Sequence, residues 1–154
     1  MSVIEQSCEV NVPVRTAYNQ WTQFEDFPQF MEGVETVTQL DDKRLHWVTE
    51  IAGIKRKFDA TITEQTPDER IAWRADGDTT QAGVVTFHRL DKDKTKVMLQ
   101  MEIEPSDFVE KAGDALGIIE RRTKNDLDNF KKFIESRGTE TGAWRGDIDQ
   151  SATK

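Results

Sequence analysis

Apolar and polar residues alternate along most of the first hundred positions, and then the period changes. Ile4, Gln6, Cys8, Val10 and Val12 share one parity against Val3, Glu5, Ser7, Glu9 and Asn11 on the other, which predicts a first strand ending at Pro13. Pro13 suits the first position of a short helix through Ala17, Tyr18 and Trp21. Residues 24–31 follow, with four large apolar side chains in eight and Pro28 interrupting them. So much aromatic surface on an irregular connection must be tucked under something or close over something, so Phe27 and Phe30 are candidates for a structural plug or a ligand lid. Alternation then resumes and predicts strands at 34–40, 45–51, 54–62, 71–75, 83–87 and 97–103, separated by short polar or Gly- and Pro-bearing turns. Regular alternation means one buried and one wet face, the mark of an antiparallel sheet. The connections are also too short for helical crossovers.

From 105 to 138 the period is helical. Phe108, Val109, Ala112, Leu116, Ile119, Thr123, Leu127, Phe130 and Ile134 fall on one stripe, and most other positions are charged. Ser106 suits an N-cap, Asp107 and Glu110 suit the positive end of the helix dipole, and Arg137-Gly138 reads as a stop. A helix of roughly 30 residues spans about 45 Å, enough to cross the face of a sheet. Gly113 and Gly117 sit on the shoulder of the stripe, each costing about 1 kcal/mol relative to Ala, and Thr123 is polar in its middle. Two readings fit: a kink with a hydroxyl bonded back to its own helix, or a helix lying over a cavity. The predicted fold is α+β, a curved antiparallel sheet of about seven strands wrapped around a long C-terminal helix, with two short helices after strand 1 closing one end.

Length makes this one domain, over 1–138, since 154 residues bury a real core and show no internal repeat. Residues 139–154 hold two glycines, little apolar material and no periodicity, and are expected to be a flexible C-terminal tail in which Trp144 is the exception. The formal net charge of −8 argues against nucleic acid and anionic lipid as partners, because both reward basic surface. No run approaches the ~18 apolar residues of a membrane span, and the start lacks the pattern of a signal peptide, so stable membrane insertion is not expected and cytoplasm is the default. The single cysteine, Cys8, allows no internal disulfide and falls on the apolar parity, where a buried inert thiol is expected.

The order of strand, two short helices around Val12-Pro13-Val14 and Phe27-Pro28-Gln29-Phe30, six strands and a long helix resembles the START-like (SRPBCC), helix-grip superfamily. The most similar branch is the polyketide cyclase/dehydrase group, which includes coenzyme Q-binding proteins, and the resemblance spans residues 2 to about 138. It implies binding of a lipid, sterol, quinone or polyketide in a helix–sheet cavity, with catalysis in only some members.

The residues themselves show no catalytic constellation. His46 and His88 take the outward parity, and no spacing of His, Cys or carboxylates suits a metal. No phosphate loop or nucleophile elbow is present, so no cofactor is expected. Expected cavity-lining positions are Trp47, Phe58, Trp73, Phe87 and Met101 from the strands and Gly113, Leu116 and Thr123 from the helix. Thr49, and Arg56 at the rim, are the polar candidates, and Gln6 is a further amide. The function expected is a carrier or sensor of a hydrophobic small molecule, with an aromatase/cyclase-type enzyme as the alternative and an interaction module using the aromatic segment and the tail as a third. Ligand identity and oligomeric state are not encoded in these patterns.

Overall fold

The computed structural model describes residues 2–51, 53–77, 79–104, 107–108 and 115–148. Strand β1 (Ser2–Val10) leads into helix α1 (Val14–Trp21) and a 3-10 helix (Phe24–Gln29). Six strands follow: β2 (Val34–Gln39), β3 (Arg44–Ile51), β4 (Ile54–Thr66), β5 (Arg70–Ala75), β6 (Gln81–Asp91) and β7 (Lys94–Ile103), and then helix α2 (Ala115–Arg137). All neighbouring strands are antiparallel, in the order β1-β7-β6-β5-β4-β3-β2. Six strands thus form a meander, and β1 closes onto its last member.

Local chemistry places the boundaries. Pro13 stands immediately before α1, where its missing N–H costs nothing, and its carbonyl accepts from Ala17 N at 3.1 Å. The β4–β5 turn needs a left-handed residue, supplied by Asp68 at φ 65°. Gly138 (φ 74°) ends α2, its N–H bonded to Ile134 O at 2.9 Å. β4 and β6 outrun the apolar alternation because ladder pairing continues through polar residues, Glu64 opposite Ala72 and Arg89 opposite Thr95. Both strands carry register shifts there, between Ile62 and Glu64 and between Arg89 and Asp91, and such bulges deepen the twist that lets a sheet curl.

The concave face and α2 bury one another. Ile119, Thr123, Leu127, Phe130 and Ile134 are all buried, as the stripe requires. Most of the expected first turns of this helix, Ser106 and Gly113 among them, lie outside the described residues, and Asp107 and Phe108 are described. Cys8 faces the same helix, and burial, with Asp128 and Glu135 adding to it against Lys131, pushes its thiol up to about 11. No described helix is long and apolar enough to cross a membrane.

The segment expected as a free tail is instead docked over 139–148. Asn19 and Gln20 of α1 are 2% and 0% exposed, and their amides need partners. Glu140, Thr141 and Arg145 supply them, with Thr141 N donating to Gln20 Oε1 at 2.8 Å and Arg145 to Asn19 Oδ1 at 2.6 Å. Arg145 also pairs with Asp68 at 2.8 Å, Trp144 packs half-buried against the core, and Ile148 exchanges two backbone bonds with Gln65 of β4.

Candidate functional site

Between α2 and the middle of the sheet lies a cavity. Its volume, taken as the space open to the centre of a water-sized sphere, is about 120 Å³. A single water needs only roughly 10–15 Å³ by the same measure. Strand parity explains the wall: Leu45, Trp47 and Thr49 of β3, Phe58 and Ile62 of β4, Ile71 and Trp73 of β5, and Leu99, Met101 and Ile103 of β7 all point inward. Trp21, Phe24, Phe27 and Met31 close one end, and Ile119, Arg122, Thr123, Asp126 and Leu127 of α2 form the roof.

Aromatic packing makes the wall stiff. Trp47 and Phe58 stack in parallel with ring centroids 6.1 Å apart, Phe108 meets Phe58 edge-on at 5.5 Å, and Phe27 leans on Trp47 at 5.8 Å. Trp73 lies across Gly83 of β6, where a Cβ would come within 2.6 Å of its ring. Its Nε1 donates to Gln81 Oε1 at 3.3 Å, while Gln81 Nε2 reaches only the Met101 sulfur at 3.9 Å. Thr123 donates to Ile119 O at 2.9 Å, so its hydroxyl is satisfied within the helix. Trp47 Nε1 and Thr49 Oγ1 are buried and have no hydrogen-bond partner among the described residues.

Of the positions expected to line a cavity, Trp47, Thr49, Phe58, Trp73, Met101 and Thr123 do so, and Phe27 joins them. Phe87 is buried against Tyr18 and Trp21 instead, because α1 covers that end of β6. Phe30 is wedged between Trp21, Phe130 and Phe133, so the 24–31 segment acts as a plug at that residue. Leu116, in the first described turn of α2, is half-buried outside the described lining. Arg56 is exposed and pinned to backbone, Nε to Asp107 O at 2.8 Å and a second nitrogen to Lys55 O at 3.2 Å. Gln6 is not among the described lining residues. His46 bonds Asp59 at 2.7 Å and His88 bonds Thr86 at 3.0 Å, both off the cavity. Among the described residues no group of His, Cys, Asp and Glu is placed to hold a metal.

Asp126, which was not among the expected lining positions, is a carboxylate on the cavity wall. Its Oδ1 accepts from Glu32 N at 3.2 Å, while the nearby Arg122 is engaged with Glu32 at 3.0 Å. Burial raises the Asp126 carboxyl to about 7, and neither the Glu32 N–H nor the Arg122 charge restores it. The signal was present in the spacing. Asp126 follows Ile119 by seven residues, only about 20° short of two full turns, so it stands almost in line with a stripe residue.

A family model described as polyketide cyclase / dehydrase and lipid transport matches residues 10–132. An uncharacterized 17.2 kDa protein of Streptomyces lincolnensis is 62% identical over 149 residues, covering 96% of this chain and 99% of the relative. The crystal structure of the Zhui aromatase/cyclase from a Streptomyces species superposes with a TM-score of 0.74 at 16% identity, covering 93% of this chain and 99% of that one. A START superfamily protein from Mycobacterium smegmatis gives 0.68 at 17% identity, covering 88% and 95%. At such identities the two structures establish the shared helix-grip fold.

Proposed function

The chain belongs to the polyketide cyclase/dehydrase and lipid transport family, and from that premise we propose that it binds a hydrophobic small molecule, a lipid, quinone or polyketide-like compound, between α2 and the sheet as a carrier or sensor. The observation that carries this reading is the cavity itself, walled by aromatic and aliphatic side chains, with Arg122 and Asp126 as the charged residues among the described lining. Burying about 300 Å² of apolar ligand contributes roughly 7 kcal/mol gross, before ordering costs, enough for useful affinity without charged recognition.

A second reading, an aromatase/cyclase-type enzyme acting on a polyketide-like chain, is favoured by one feature, a cavity carboxyl that exchanges its proton near neutral pH. Native mass spectrometry of the purified protein, followed by solvent extraction, tests the first reading. A co-purified hydrophobic compound is expected, and incubation should return it unchanged. A protein that carries no such compound and binds no naphthalene-type probe would overturn the assignment, and a product distinct from the added compound would move it to the enzyme.

A further inference from the structure

The polar groups of the cavity are unevenly spent, and the imbalance says what they await. Gln81 Oε1 is taken by Trp73, and the Thr123 proton is given to Ile119 O. Among the described residues Gln81 Nε2 has only a sulfur at 3.9 Å, and on β3 the Thr49 hydroxyl and the indole N–H of Trp47, which can only donate, have no partner. Across from the strands, Asp126 has one oxygen tied to Glu32 N, and its Oδ2 has no hydrogen bond among the described residues. We propose, resting on the cavity-binding reading above, that Asp126 is a ligand-contacting residue whose protonated carboxyl donates to a carbonyl-type oxygen of a neutral hydrophobic ligand, so that capture of the ligand takes up a proton.

Competing ligand chemistries fit the lining less well. An ammonium carries only protons and leaves the Trp47 and Gln81 donors unanswered, and it would sit close to the Arg122 guanidinium. A carboxylate would face Asp126 itself, while Arg122 is already engaged by Glu32 at 3.0 Å. A neutral carbonyl oxygen is an acceptor that such donors can serve, and it requires no charge in an apolar space. Glu32, just before β2, and Arg122, on α2 itself, are the charged groups around Asp126. The described lining from the 3-10 helix and from β2 through β7 contributes no ionisable side chain. With the free carboxyl at about 7, burial already favours the neutral form, and a ligand that expels more water favours it further.

The test uses three naphthalene probes: 2-acetylnaphthalene, its hydrocarbon counterpart 2-ethylnaphthalene, and 1-(2-naphthyl)ethylamine. Their affinities are measured by titration calorimetry from pH 5.5 to 8.5 on the wild type, Asp126→Asn and Asp126→Leu. The ketone should bind the wild type about tenfold more weakly at pH 8 than at pH 6, with net proton uptake visible as a buffer-dependent heat. Asp126→Asn, which keeps a donor and the acceptor for Glu32 N, should bind the ketone independently of pH, while Asp126→Leu should lose the preference for ketone over hydrocarbon. Hydrocarbon and ketone bound equally at every pH would overturn the proposal and leave the cavity reading standing. An amine probe that binds more tightly than the ketone would also overturn it, and failure of all three probes would sink both readings.

Discussion

A carboxylate set into the roof of an apolar cavity destabilises the fold that holds it, and for Asp126 the pH dependence follows in sign and window. Its folded value is about 7 against 3.8 for the free group. Between those limits the native state keeps a proton that the unfolded chain has released, so stability falls as pH rises from about 4 to about 7 and stays low above it. A shift of three units corresponds to roughly 4 kcal/mol, and solvent screening of a half-buried group reduces this to about 1–2 kcal/mol. Asp126→Asn should therefore raise the melting temperature by several degrees at pH 8 and leave it nearly unchanged at pH 4, as scanning calorimetry would read. Equal changes at both pH values would show that Asp126 ionises as a solvated carboxylate. Asp126 was legible, by its seven-residue offset from Ile119, but the abundance of charge on the other faces of α2 hid it. Arg56, expected at the rim, is exposed, and the hydrogen bond to Asp107 O that fixes it comes from a residue 51 positions away, which strand parity cannot read.

At the scale of elements, strand parity carried most of the architecture. The inward sets on β3, β4, β5 and β7 could be read directly because one face of each strand is wet and the other is not. Phe87 shares the parity of Val85 but lies beyond the cavity, since parity fixes a face and says nothing of which helix covers that part of it. The pairing of Trp73 with Gly83 across β5 and β6 shows a finer constraint. A Cβ at Gly83 would meet the Trp73 ring at 2.6 Å and the Gln100 carbonyl oxygen at 2.9 Å, and the second atom belongs to the backbone and cannot turn away. Gly83→Ala should cost about 1–3 kcal/mol as an overpacked site. The Trp73 indole should also be displaced into the cavity, weakening a bound naphthalene probe more than the stability loss alone accounts for. Urea unfolding together with probe titration checks this, and unchanged affinity in a destabilised variant would show that the indole moves elsewhere.

The whole molecule depends on a segment whose role no local pattern disclosed. Residues 139–148 have neither period nor apolar run, because their order comes from contacts with α1 and β4 more than 70 positions away. Trp144 was the one local hint. Magnitudes separate what holds the segment. Ile148 is 4% exposed, and truncating a buried Ile costs about 2–5 kcal/mol. The Arg145–Asp68 pair keeps 28% and 34% side-chain exposure, which limits it to about 1 kcal/mol, with the Tyr18 face beneath the guanidinium, at 5.6 Å, adding about 0.5–1 kcal/mol. Arg145→Ala also strips the buried Asn19 Oδ1 of its donor, at about 1–3 kcal/mol, so the two truncations should destabilise the protein by similar amounts, while raising the salt concentration should weaken the Arg145 contribution and leave that of Ile148 in place. Chemical denaturation of both variants in urea at low and high salt would decide it. If Arg145→Ala were the costlier change, the segment would be held by its charge and amide bonds to α1, and the apolar seat of Ile148 would be secondary.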